Sequence, residues 1–65
     1  MLDLTRYLTD DDVIDYYSQN FNEDDLEEFI GYCNKTGITK EWIGMMMLDY
    51  NSFLEMWWKW RRAEA

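Results

Sequence analysis

Apolar residues recur at three- and four-residue intervals along most of this chain, the period of an α-helix with one face turned inward. Val13, Ile14 and Tyr17 fall at that spacing, and Phe21 continues the stripe across "SQN". Thr9 precedes three aspartates and is the expected cap of this first helix, since carboxylates in a first turn offset the positive end of the helix dipole. Asn22 is the expected cap of "EDDLEEFIGYCNK", whose Leu26, Phe29, Ile30 and Cys33 stand at i, i+3, i+4 and i+7. Gly37 is a natural stop because glycine takes positive φ without steric cost. Thr39 starts a third helix. Ile43, Met46, Met47, Tyr50, Phe53, Leu54 and Trp57 then hold the period without interruption. One helix from about Lys40 to Arg62 fits that pattern. "DYNS" argues against it, because Asp49, Asn51 and Ser52 compete for backbone hydrogen bonds and favour caps, and Ser52 with Glu55 has capping-box spacing. A break near Leu48 to Asn51 is the favoured expectation. No proline occurs and no strand-like alternation stands out. The pattern therefore predicts an all-α domain of four to five short helices: an acidic helical part over residues 1–36 and a helical pair over 37–62.

The last helix has more apolar surface than a small core can use. On a helical wheel Trp57 and Trp60 fall close to Phe53, one on each side of it. Leu54 and then Trp58 extend the apolar arc beyond Trp57, and Met56 extends it beyond Trp60. A surface helix usually buries little more than about 100°, and this arc is roughly twice as wide. Either the whole arc packs inward, or one flank, Trp58 or Met56 with Trp60, stays outside as an anchor for a partner. Arg61 and Arg62 would then stack on or pair with that partner. "GMMML" reads as ordinary core, as does Cys33 on the inner stripe of its helix.

Charge changes this picture. The formal net charge is −8, unevenly placed. Residues 1–30 hold ten acids against the single base Arg6, whereas residues 31–65 hold five bases against four acids. The front half should repel phosphate and attract basic surfaces. With one cysteine and no histidine in 65 residues, neither an internal disulfide nor the usual zinc patterns are available. Core size and the missing histidine leave little room for a walled catalytic cleft, and "DDD" and "NEDD" lack the alternating ligands and central glycine of a calcium loop. The expectation is a non-enzyme without metal or cofactor. The opening lacks the features of a secretory signal, and the longest aliphatic block, "MMML", is far short of a membrane span. A soluble protein of the host-cell cytoplasm, with no membrane partner, is expected.

Gly37, Ile38, Thr39, Lys40 and Glu41, followed by Gly44 at a small-residue position, Met46 and Met47 at apolar positions, and Ser52, Leu54 and Trp57, form a pattern that spans residues 26–60. It resembles the helix-turn-helix of the Cro and phage-repressor family. Leu48 and Asp49 depart from it, standing where the family has a turn glycine and a buried Val or Ile. Too few residues follow Trp60 for the family's later helices, so further packing must come from the first twenty residues or from a partner. The resemblance implies a recognition helix presenting Tyr50, Asn51, Ser52, Phe53, Glu55 and Met56. The Arg and Lys that bind guanine bidentately are missing there. Asn51 would read adenine, and Lys59, Arg61 and Arg62 would touch phosphates. A body of −8 opposes such binding, which rests on neutralised phosphates. Direct nucleic-acid binding is therefore the secondary expectation, as a small dimeric regulator.

Asp11, Asp12 and Asp15 lie opposite Val13, Ile14 and Tyr17, and Asp24, Glu27 and Glu28 lie opposite Leu26 and Phe29. The bland account is a solvated face. The sharper one is phosphate mimicry: turns about 5.4 Å apart are coarser than the roughly 3.4 Å phosphate rise, so it needs two adjacent acidic helices. In composition the chain is similar to small acidic phage inhibitors of the anti-restriction and anti-CRISPR kind. That resemblance implies a DNA-mimic inhibitor that binds a basic nucleic-acid-handling protein, such as a CRISPR effector, a restriction or repair enzyme, or a repressor. The expected contact residues are the six acids above with Tyr50, Asn51, Met56, Trp58, Trp60 and Arg61. A homodimeric structural module sealed by its tryptophans is the remaining alternative.

Overall fold

The computed structural model describes residues 2–64 and places them in a body of about 31 × 24 × 21 Å. Four helices follow a 3-10 turn at Leu4–Arg6: α1 (Asp11–Asn20), α2 (Glu23–Lys35), α3 (Lys40–Leu48) and α4 (Tyr50–Glu64), with no strand among the described residues. The close helix pairs are α3 with α4, α2 with α3, and α2 with α4. α1 lies outside that trio and reaches it through individual side chains.

The caps show why the helices begin and end where they do. Asp10, not Thr9, caps α1, its carboxylate accepting from the Asp12 and Val13 N–H groups. The structure thus moves the expected cap by one residue: a carboxylate is the stronger acceptor for the free amides of a first turn. Asn22 caps α2 as expected, accepting from Asp24 and Asp25. α2 ends in a Schellman motif. The Ile38 N–H donates to the Cys33 carbonyl at 3.0 Å, Gly37 N–H donates to Asn34, and Gly37 has a φ of 90°. Thr39 caps α3 through the Trp42 N–H.

The break between α3 and α4 is a single residue, Asp49, in an extended conformation. Its N–H donates to the Met45 and Met46 carbonyls, closing α3. Its own carbonyl accepts from the Phe53 N–H at 3.0 Å, opening α4. Ser52 is not the cap. It lies inside α4 and donates its hydroxyl to the Asp49 carboxylate at 2.9 Å. The local polar cluster thus interrupts the helix with the smallest possible corner, while the hydrophobic period runs on through it.

One core joins every element: Leu4, Leu8, Tyr17, Leu26, Phe29, Ile30, Cys33, Ile43, Met46, Met47, Phe53, Trp57 and Trp60. Phe53 is its hub, fully enclosed, with ring centroids 4.7 Å from Tyr17, 5.2 Å from Phe21, 5.1 Å from Phe29 and 5.5 Å from Trp57. Tilted, edge-to-face and stacked pairs of this kind add about 0.5–1.5 kcal/mol each beyond area burial. The N-terminal segment closes the other side with Leu4 and Leu8. Its path explains Gly44: a methyl there would run into the Tyr7 carbonyl oxygen. The small residue expected where two helices cross instead admits backbone from the chain's start.

Candidate interaction surface

The acids come first. Asp11, Asp12, Asp15, Asp24, Glu27 and Glu28 are all exposed on α1 and α2. Among the described residues the one ion pair is Asp25 with Arg61, at 3.0 Å, so none of the six is neutralised by a partner within the fold. α1 and α2 are joined by only Phe21 and Asn22 but are not one of the close helix pairs. The two acidic faces are thus carried on consecutive helices that are not closely packed along their lengths. They make a broad negative exterior.

On α4 the wheel resolves into a narrow inner stripe. Phe53, Trp57 and Trp60 are buried, Leu54 and Met56 are half-buried on either flank, and Trp58 is exposed. Trp60 is corrected as a contact residue. It is 1% exposed, held between Phe29 and Trp57 at centroid distances of 5.8 and 5.0 Å. Arg61 stays exposed at the surface but is engaged within the fold. Its guanidinium lies over the Trp60 ring at 4.6 Å and near Trp57 at 5.3 Å while pairing with Asp25, so it fastens α4 to α2. Trp58, Tyr50 and Asn51 remain available at the surface.

The sequence reading missed an exposed apolar stripe on α3. "MMM" is not uniformly core: Met46 and Met47 are buried, but Met45 is 58% exposed. Trp42 and Leu48, each 62% exposed, flank it at i−3 and i+3, so they form one outward stripe along α3. Six of the nine residues of "KEWIGMMML" are apolar, and so short a helix packed on one side cannot bury all of them. That count was the available signal. Leu48 continues the stripe into a second cleft of about 260 Å³ shared with Tyr16 and Tyr50, whose rings meet edge to face at 5.4 Å.

Behind the stripe, the corner at Asp49 splays α3 from α4 and opens a groove of about 600 Å³. Ile38, Trp42, Met45 and Met46 form one wall and Met56 the other. Polar groups enter it from Asp49, Ser52 and Glu55, and no lysine or arginine lines it. Its volume falls within the roughly 300–1,000 Å³ typical of ligand clefts.

Two buried groups hold the scaffold rather than a reaction. The Tyr17 hydroxyl donates to the Met47 carbonyl at 2.6 Å, satisfying one of the carbonyls left free at the end of α3. Burial, with the nearby Tyr16, Tyr50 and Asp49, pushes its ionisation well above the ordinary tyrosine range. Burial alone pushes the Cys33 thiol up to about 11, away from the reactive thiolate. No helix among the described residues is long and apolar enough to cross a membrane. Comparison with family models, with curated proteins and with solved structures found no match to this chain.

Proposed function

We propose that this chain is a small acidic interaction module that engages a basic, nucleic-acid-handling protein and blocks it by occupying its cationic surface. One observation carries this reading: six carboxylates on two helices are exposed, and none has a counter-ion within the described fold. Carboxylates left free in this way raise the rate of encounter with a positive surface and disfavour negative ones. The exposed apolar residues Trp58, Trp42, Met45 and Leu48 supply the desolvating contacts that charge alone lacks. The separation of the acidic helices favours general electrostatic attraction over a phosphate-by-phosphate copy of a duplex.

A tagged chain exposed to extract of its native host tests the reading, alongside a variant with Asp11, Asp12, Asp15 and Asp24 changed to Asn and Glu27 and Glu28 to Gln. Wild type should retain a basic nucleic-acid-binding protein at about 50 mM salt and lose much of it at about 300 mM, where the screening length shortens. The retained protein should lose nucleic-acid binding in the complex. Equal retention by the neutralised variant, or retention of duplex DNA by the isolated chain at about 150 mM salt, would reject the proposal.

A further inference from the structure

We infer that the α3–α4 groove is the docking site for an amphipathic helix of the partner, with apolar anchors on one face flanked by lysine or arginine. The inference rests on the proposed function for the sign of the partner's charge, but the site itself stands on separate observations.

The first is geometric. Trp42 and Met45 stand exposed on the outer wall of a groove of about 600 Å³, opposite Met56. Methionine walls adapt to differing anchor shapes, and an exposed tryptophan at a rim is the residue type most enriched in binding hot spots.

The second is electrostatic. The acidic residues Asp49 and Glu55 line the groove and no lysine or arginine does. Lys59 follows Glu55 one turn further along α4, outside the lining. An apolar segment with basic flanks would bury its anchors against Trp42, Met45 and Met56 while its cations met Asp49 and Glu55. A second copy of this chain, itself at −8, would bring carboxylates towards carboxylates and is disfavoured.

The third concerns backbone. The described residues form no strand, so there is no sheet edge to pair with an extended peptide. A peptide entering an apolar groove must satisfy its own amides, and a helix does so internally.

A designed 15-residue helical peptide serves as the probe, with Leu or Phe at i, i+3, i+4 and i+7 and Lys or Arg elsewhere. Controls are the same peptide with Glu for every base, and a scrambled form. Amide and methionine-methyl NMR shifts on the full chain should move at Trp42, Met45, Met46 and Met56, and calorimetry should give an affinity that falls with salt. Trp42→Ala and Met45→Ala together should weaken binding about tenfold or more. Glu55→Gln should weaken it, and Lys59→Glu should strengthen it. Both alanine changes lie at exposed positions, so the helical circular-dichroism spectrum should be unchanged.

Three results would overturn the site: shifts confined to α1 and α2, equal binding of the acidic or scrambled peptide, or a wild-type dimer that Met45→Glu dissolves. The last would make a second copy the occupant. Groove failure with retained salt-sensitive capture by the outer acids removes this inference and leaves the proposed function standing. Groove binding with no effect of the six outer neutralisations does the reverse.

Discussion

Tyr17→Phe isolates a single buried hydrogen bond that ties the otherwise loosely attached α1 to the end of α3. The residue is 1% exposed and its hydroxyl donates to the Met47 carbonyl at 2.6 Å. The substitution keeps the ring and its contacts with Phe53 and Phe21, so no large cavity forms. What remains is the lost bond and a buried carbonyl without its donor, a change that costs about 1–3 kcal/mol. For a domain of this size each kcal/mol shifts Tm by roughly 4–8 °C, so Tm should fall by about 4–24 °C. Thermal unfolding followed by circular dichroism at neutral pH measures it, with Tyr32→Phe as a control. Tyr32 is half-buried, and no hydrogen bond from its hydroxyl is seen among the described residues, so its change should stay within about 0.5 kcal/mol. A Tyr17→Phe chain as stable as wild type would refute the claim that this bond anchors α1.

Alkaline pH should weaken the fold. Tyr17 and Cys33 both have ionisations raised by burial, so above about pH 9 for the thiol and about pH 10 for the phenol the unfolded chain loses protons that the folded chain keeps. Stability is fully present below those values and declines above them, and in urea titrations at stepped pH, Tyr17→Phe should flatten the upper part of that decline. The two helical glycines should respond oppositely to alanine. Gly31 has open space around it and Gly31→Ala should stabilise by about 0.5–1 kcal/mol, while Gly44→Ala should destabilise by about 1–3 kcal/mol through overpacking on Tyr7, both read from denaturant midpoints. Asp25→Asn should cost no more than about 1 kcal/mol, because the pair with Arg61 is well exposed and water screens it; the loss should shrink in high salt.

Where sequence and fold agree, a short-range cause is visible. The helix count, the Asn22 and Thr39 caps, the Gly37 stop and the inner stripes of α2 and α4 all follow from periodicity and from amides that need acceptors. The cap of α1 falls one residue later than expected, because Thr9 and Asp10 are both good caps and the carboxylate is the stronger acceptor. The structured role of Leu4 and Leu8 was not legible, since so short a segment carries no period. It becomes necessary only because α1 leaves one side of the trio uncovered. Trp60 differs from expectation for a related reason. A wheel measures the width of an apolar arc, but not which part of it the facing helix covers; α2 covers the part centred on Phe53. The Asp49 corner is found in the expected place though not in the expected form. Capping preferences favour Ser52, whereas the backbone uses Asp49 to close one helix and open the next.

The two surface features that sequence reading treated separately, acid excess and surplus apolar residues, are coupled. A contiguous outward stripe of Trp42, Met45 and Leu48 on so small a body is a self-association hazard. The net charge of −8 opposes that association at long range and leaves the stripe open to a body of opposite sign. If so, removing charge from α1 and α2 while leaving the three stripe residues intact should expose the hazard. The variant with all six outer carboxylates neutralised carries −2 by formal count, and it should show concentration-dependent self-association in sedimentation velocity under conditions where wild type sediments as a single species. High salt should push wild type part of the way in the same direction, since screening acts on the same repulsion. Adding Met45→Glu to the neutralised variant should restore the single species by breaking the stripe at its centre. A neutralised variant that stays monodisperse would mean the stripe is too weakly sticky to need protection. The anchoring role given to α3 would then lose its energetic basis.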